Sequence, residues 1–548
     1  MLVKKIRVSS LFLIMCLFVS PMFAKEQKGK TFIKQAVADA YIDRFNQSDN
    51  ELYKQAVPNS EAKVFLTNKI PLFECPDKQL EETYYFRWWT YRKHIKKTPD
   101  GFVISEFLPD VSWARKYNTI SCSAAHHFYE GRWLQDDHIL TDYARFWFSG
   151  GTPRSYSFWV ANAIYNYHLV HPDIELLIVL YPSLKENFAQ WEAEKRDSTQ
   201  LFWQIDDRDG MEMSVSGSLA PGGKGYRATI NSYMYGEAEA LSLIAKLVGD
   251  ENGHAFYRQK AKALKELINT RLWDKEAGFY KVIPKNGRGE FSPVREQHGY
   301  TPWYFHIAPD SYASAWLQLA DKEGFYAPFG PTTVEQRAPG FTLSYEGHEC
   351  QWNGPSWPFS TTITLVGLAN LLNDHPSPPL SAKDYLDLLT LYSRSHRLQK
   401  EDGTIVPWID ENLNPYTGDW ISRTRLKAWK NNTWDASKGG VERGKDYNHS
   451  TFCDLVISGL IGIRPQEGDQ LTVNPLIPAD TWDYFCLDNL HYKGHKLTVL
   501  YDKYGTKYKQ GKGLRVFVDG QLKGKTDKIE KLNINIKGKN SPILIKKT

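Results

Sequence analysis

The 548-residue chain is poor in the residues that disulfide frameworks, metal clusters and polyanion-binding proteins need. It has six cysteines. Without Cys16 near the start, Cys75, Cys122, Cys350, Cys453 and Cys486 remain, an odd number lacking the paired spacing of zinc sites. That excludes a disulfide framework and predicts mainly buried free thiols, with room for one bridge in an oxidising compartment. Charge of one sign is also scarce, since 68 basic residues against 63 acidic ones leave a net charge of +5. No long basic run stands alone, so neither nucleic acid nor an anionic membrane is required as a partner. No apolar run beyond the first 24 residues is long enough for a bilayer span.

Aromatic residues are what the chain has in excess, at 14%, with 18 tryptophans and 31 tyrosines. With 42% hydrophobic residues it can build one large domain and a smaller one. Residues 1–24 carry Lys4, Lys5 and Arg7, the apolar run Leu11 to Val19, then Pro21 and the small residue Ala24. This is the anatomy of a secretory signal peptide and predicts an exported protein, periplasmic or secreted. Cys16 offers a lipoprotein alternative, which the bulky Met15 before it disfavours.

From about residue 120 to 465 the pattern is helical, interrupted by long aromatic loops. Met234, Ala238, Leu241, Ala245 and Val248 share one helical face, Gly249 and Asp250 break it, and Phe256, Leu264, Leu267 and Ile268 resume it. That predicts a helical hairpin. Similar apolar stretches at 157–168, 312–320, 357–372, 384–396 and 450–462 predict further hairpins that bury their faces against one another, for which a closed ring of helices is one solution. After Pro465 the period shortens. Gln470–Val473, Leu497–Tyr501 and Leu514–Val518 alternate, and Asp519-Gly520 is a hairpin turn signal. The expected organisation is a leader (1–24), an N-terminal segment (25–110), a helical catalytic domain (111–465) and a β-sandwich-like domain (466–548) that borrows strands from residues 60–110.

The densest functional signal is Cys350-Gln351-Trp352-Asn353-Gly354-Pro355-Ser356-Trp357-Pro358. Indoles offer flat apolar faces to sugar rings, and amides hydrogen-bond hydroxyls. Two carboxylate neighbourhoods accompany it. In Trp203-Gln204-Ile205-Asp206-Asp207-Arg208-Asp209-Gly210-Met211-Glu212, four acids lie within seven residues. Their mutual repulsion raises at least one pKa, as a general acid requires. A calcium ion or an Arg208-paired loop is the alternative use of those oxygens; no other cofactor or metal is expected. The second is Pro407-Trp408-Ile409-Asp410-Glu411-Asn412, where a carboxylate beside an indole can activate water. Trp89 (with Trp88), Trp133, Trp203, Trp352, Trp357 and Trp408 are candidate sugar-binding walls, with Gln351, Asn353 and His449 as hydrogen-bonding partners. A core role is equally open to Trp88, Trp89 and Trp133, and a structural one to His449.

On these motifs residues 80–465 resemble the inverting hydrolases with a six-hairpin (α/α)6 barrel, especially glycoside hydrolase family 63, the trehalases and the mannosylglycerate-hydrolase-like enzymes. Gln351 to Pro358 matches the group's best-known motif. Glu212, in Gly210-Met211-Glu212-Met213-Ser214, falls at its general-acid position, and Glu411, in Glu411-Asn412-Leu413-Asn414-Pro415-Tyr416-Thr417-Gly418, at its general base. Ile230 to Tyr235, Glu276 to Tyr280 and Gly299 to Trp303 are similar to connecting segments. The sequence departs from the pattern with Glu for Asp at the acid and Met213 for an Asn, which leaves Asp209 or Asp207 as alternative acids. The resemblance implies a mainly α fold, an exo-acting glycosidase and single displacement with inversion, its carboxyls about 6.5 to 9.5 Å apart. Oligosaccharide or polysaccharide is the expected substrate, α-glucosidase-like and plant-glycan activities such as arabinofuranosidase both remaining open. A polysaccharide lyase using Tyr447 or His449 and a non-catalytic glycan-binding protein are the alternatives.

Overall fold

A computed structural model describes residues 31–343 and 350–537 of the chain. The signal peptide expected at 1–24, with Cys16, lies outside the described residues.

The fold is mainly helical with a β region at its C-terminal end. The predicted hairpin is present. Helix Ala228–Leu247 ends at Gly249, whose φ of 81° is left-handed, and the Asp250 carboxylate accepts from the Gly253 N–H at 2.8 Å to start Glu251–Leu267. Pro358 opens Pro358–Asp374, where its missing N–H costs nothing. Helices pack in succession. Lys78–Lys93 lies against Ala382–Ser395, which packs on Pro358–Asp374, then Thr301–Tyr304, Ala228–Leu247, Val160–His168 and Ser121–Gly131. The buried Glu130 carboxylate accepts the N–H groups of Phe452, Cys453 and Asp454 at 3.0, 2.9 and 2.8 Å, anchoring the last helical segment. That segment differs from a regular helix: Leu455–Leu460 is wound as a single π-helical stretch.

At the C-terminal end, Tyr484–Tyr492, His495–Asp502, Gly513–Val518 and Gln521–Thr526 form consecutive antiparallel strands. Asp519 and Gly520, at φ 50° and 76°, make the tight turn the sequence signalled. One strand is borrowed from the N-terminal segment, since Leu72–Glu74 pairs with Tyr484–Tyr492. The other N-terminal strands, Ile95–Thr98 and Gly101–Ile104, pair only with each other. The fully buried Asp488 adds a tie, accepting from the N–H groups of Phe32 (2.6 Å) and Ile33 (3.1 Å) and from Thr498 Oγ1 (2.7 Å). Among the described residues the five cysteines are free, Cys75, Cys453 and Cys486 being buried and Cys122 and Cys350 half-buried. Among the described residues no helix is long and apolar enough to cross a membrane.

Candidate active site

A cavity of about 430 Å³ collects residues from every part of the helical region, including Glu106, Glu212, Cys350, Trp352, Glu411 and His449. Its aromatic wall comes from the tryptophan-rich motif. Trp352 stacks on Trp357 with centroids 4.2 Å apart and planes 18° apart, and Trp357 stacks on Phe359 at 4.6 Å and 14°. Gly354 is required by space, because a Cβ there would stand 2.1 Å from the Thr342 carbonyl oxygen.

Glu212 is held by that same motif. The Trp352 main-chain N–H donates to the Glu212 carbonyl at 3.1 Å, and its indole N–H donates to Oε2 at 3.0 Å. The preceding Gly210, at φ 78°, passes so close to Cys122 that a Cβ would lie 2.7 Å from its sulfur. Burial pushes the Glu212 carboxyl up to about 8, against the hydrogen bonds from its own backbone and Trp352, and the Glu411 charge adds to the rise. At neutral pH this side chain carries a proton.

Glu411 is in the opposite state. Burial alone would raise its pKa, but Arg425 and Arg443 outweigh it and bring the carboxyl down to about 2. Arg425 donates to Oε2 at 2.6 Å, with Arg443 at 3.4 Å from the same oxygen, while the Cys350 thiol donates to Oε1 at 2.7 Å. Neighbouring Asp410 accepts from the Glu411 N–H (2.8 Å) and from Arg425 (3.3 Å). Two carboxyls in one cavity, one protonated and one ionised, are the equipment for general acid and base chemistry.

A third carboxyl is present that sequence reasoning missed. Glu106, 6% exposed, accepts from the Tyr447 hydroxyl through Oε1 and from Ser123 Oγ at 3.0 Å through Oε2. Burial raises it to about 7, opposed by those hydrogen bonds. Tyr447 packs against His449 with ring centroids 3.7 Å apart and planes tilted by 45°, and neither ring nitrogen of His449 makes a well-aligned hydrogen bond. Burial drives the His449 pKa well down, so the ring is neutral.

Of the other candidates, Trp357 and His449 line the cavity, and Gln351 is buried next to it without forming its wall. Asn353 lies beside Trp352, its main-chain oxygen accepting from the Thr342 N–H at 2.9 Å. Asp209 is buried behind the cavity, where it accepts from Thr229 Oγ1. Asp207 reaches the cavity mouth and has Arg208 at 3.9 Å. Asp206 accepts from the Asp207 N–H at 2.9 Å and packs against Gly217 and Gly223. Among the described residues no cluster of His, Cys, Asp and Glu has the arrangement of a metal site.

Four tryptophans lie elsewhere. Trp133 is wholly buried and donates to Asp454 at 2.7 Å, a core position fixed by a partner far along the chain. Trp89 donates to Asn46 at 2.8 Å under Arg92 and Lys93. It shares a separate cleft with Trp408, whose face Arg423 covers at 4.9 Å. Trp203 is ringed by Lys195, Lys224 and Lys285 at 4.3, 5.5 and 5.5 Å. Cations occupy the faces of these last three rings, leaving them unlike the bare indoles of the cavity.

Residues 116–450, more than half of the chain, match the mannosylglycerate hydrolase MGH1-like glycoside hydrolase domain family. The chain belongs to this family. Residues 116–450 are therefore a glycoside hydrolase domain. Residues 463–523 of the hydrolase match the C-terminal domain of glycosyl hydrolase family 65. A solved structure named a sialidase is 41% identical over 92% of this chain, with TM-score 0.83, and the hydrolase spans 45% of that structure's length. An uncharacterised conserved protein from Thermus thermophilus shares the fold, at TM-score 0.50 and 15% identity over 68% of this chain and 100% of the other. The family 63 mannosylglycerate hydrolase of the same organism, solved with glucose, is a looser likeness at TM-score 0.42, with 15% identity over 77% and 98% of the two chains.

Proposed function

We propose that the hydrolase is an exported, exo-acting, inverting glycosidase built on an (α/α)6 barrel, releasing a terminal sugar from an oligosaccharide with Glu212 as general acid and Glu411 as general base. The observation that carries this reading is the opposed protonation of the two carboxyls in one aromatic-walled cavity. The Glu212 proton passes to the glycosidic oxygen as the bond from the anomeric carbon breaks. Glu411 takes a proton from the water that attacks the opposite face of that carbon. Arg425 and Arg443 both engage Oε2, which leaves Oε1, beside the Cys350 thiol, as the oxygen that serves the water. Trp352 and Trp357 supply the apolar wall against which a sugar ring stacks. The succession of packed helices and the six-hairpin motifs support the barrel, and the apolar leader with its basic start supports export. Both α-glucosidase-like and plant-glycan activities such as arabinofuranosidase fit this chemistry. The test is to incubate wild type, Glu212→Gln and Glu411→Gln with plant and α-glucan oligosaccharides, following released monosaccharide and ultraviolet absorbance. A saturated monosaccharide lost in both variants is expected; an absorbing, unsaturated product would instead mean a lyase.

A further inference from the structure

Glu106 faces the cavity without serving as acid or base in the mechanism above, and it lies before the segment matched by the family domain. Its position is fixed. The Asn448 N–H donates to the Glu106 carbonyl at 3.1 Å, and Asn448 in turn is tied to His127 at 2.7 Å. A carboxylate offers about four lone-pair sites, and Tyr447 and Ser123 take two. Among the described residues Glu106 has no ion pair. Arg443, whose charge draws the Glu106 pKa down, is engaged with Glu411 Oε2 at 3.4 Å and with the Lys438 carbonyl at 3.0 Å. At the mouth, Arg208 stands 3.9 Å from Asp207, and Lys438 is itself engaged.

We propose that Glu106 is a specificity-determining residue that accepts hydroxyl groups of the terminal sugar, so that the cavity takes an uncharged glycosyl unit and rejects one bearing a carboxylate. This rests on the glycosidase reading above and adds the substrate class. A neutral hydroxyl donates to the open lone pairs of Glu106 and completes the coordination of a buried acid that has no direct ion pair. A sugar carboxylate placed against Glu106 brings only acceptors to it and adds negative charge beside the ionised Glu411, while Arg443 is held by Glu411 and the Lys438 carbonyl. By this argument a sialic acid or uronic acid is a poor occupant, whatever the longer relative of that name cleaves.

The experiment sets wild type against p-nitrophenyl glycosides of uncharged sugars (glucose, mannose, rhamnose, arabinofuranose) and of glucuronic and sialic acid, with calorimetric binding of the free sugars to Glu212→Gln in parallel. Hydrolysis and binding confined to uncharged sugars are expected. Glu106→Gln should raise KM about 10- to 100-fold with kcat changed far less, as loss of a charge-assisted hydrogen bond requires. Glu106→Asp should recover part of that loss. If Glu106→Gln fails to fold, Ser123→Ala serves, with a smaller rise in KM. Preference for an acidic glycoside, a kcat defect without a KM defect, or no binding of any uncharged sugar would overturn the proposal. Binding of uncharged sugars without any hydrolysis would instead count against the glycosidase reading and leave the specificity of the cavity standing.

Discussion

Replacing Trp352 by Phe keeps an aromatic ring in the cavity wall but removes the indole N–H that donates to Glu212 Oε2 at 3.0 Å. That bond favours the ionised carboxylate and so holds down a pKa that burial has pushed up to about 8. A hydrogen bond to a charged group is worth about 1.5–3 kcal/mol, and one pKa unit corresponds to about 1.4 kcal/mol. Glu212 is only partly screened from the cavity, where water can replace some of the lost bond, so the net shift should be about one unit upward. If proton donation by Glu212 limits the reaction, kcat/KM is flat through neutral pH and falls as Glu212 ionises. Its alkaline limb should move from about 8 in wild type to about 9 in Trp352→Phe. Trp357→Phe is the control, since Trp357 lies in the same stack without a hydrogen bond to Glu212, and its limb should stay in place. An alkaline limb that moves down in Trp352→Phe, or that moves equally in both variants, would refute the assignment of the acid.

Glu212→Gln should stabilise the protein while abolishing activity. The folded-state pKa lies above the ordinary 4.5, so the native state holds a proton that the unfolded state gives up, and stability from this group falls as pH rises from about 4.5 to 8. Urea denaturation should show the variant gaining about 2 kcal/mol at pH 8 and almost nothing at pH 4. Arg425→Gln should have the opposite effect. The Glu411 carboxyl, brought down to about 2, contributes stability above the ordinary 4.5 that is lost as pH falls through 2, and breaking the pair should cost about 3 kcal/mol at pH 7. Asp488→Ala removes the acceptor that ties Phe32 and Ile33 to the C-terminal sheet, and should cost about 2–3 kcal/mol and speed proteolysis near residue 33. A chelator should leave both the melting temperature and the activity unchanged, because among the described residues the acids of the 206–209 loop do not gather into a cluster that could hold a metal ion.

Local chemistry was legible along the chain wherever neighbouring residues decide the outcome. The break at Gly249-Asp250, the turn at Asp519-Gly520 and the strand at Gln470–Val473 all follow from side chains within a few positions. The motif around Trp352 was equally plain, and it does bring its two indoles to the cavity with Glu212 and Glu411. Isolated tryptophans were not decidable in this way. An indole buries the same area in a core as in a sugar site, and what distinguishes Trp133 is Asp454, 321 positions away. Glu106 carries no local mark at all, being a single acid between Ser105 and Phe107. Its character comes from Tyr447, 341 positions on. The pairing of Arg425 and Arg443 with Glu411 likewise depends on how the loops after residue 411 fold back.

The proposed mechanism requires Glu212 protonated and Glu411 ionised in the resting enzyme at neutral pH. Difference infrared spectroscopy at about pH 6.5, between the two carboxyl pKa values, tests it without needing a substrate. Wild type minus Glu212→Gln should show the carbonyl band of a protonated carboxylic acid, and wild type minus Glu411→Gln should show only carboxylate bands. Carboxylate bands in both differences, or the two signatures exchanged, would contradict the assignment of acid and base on which the proposed mechanism rests.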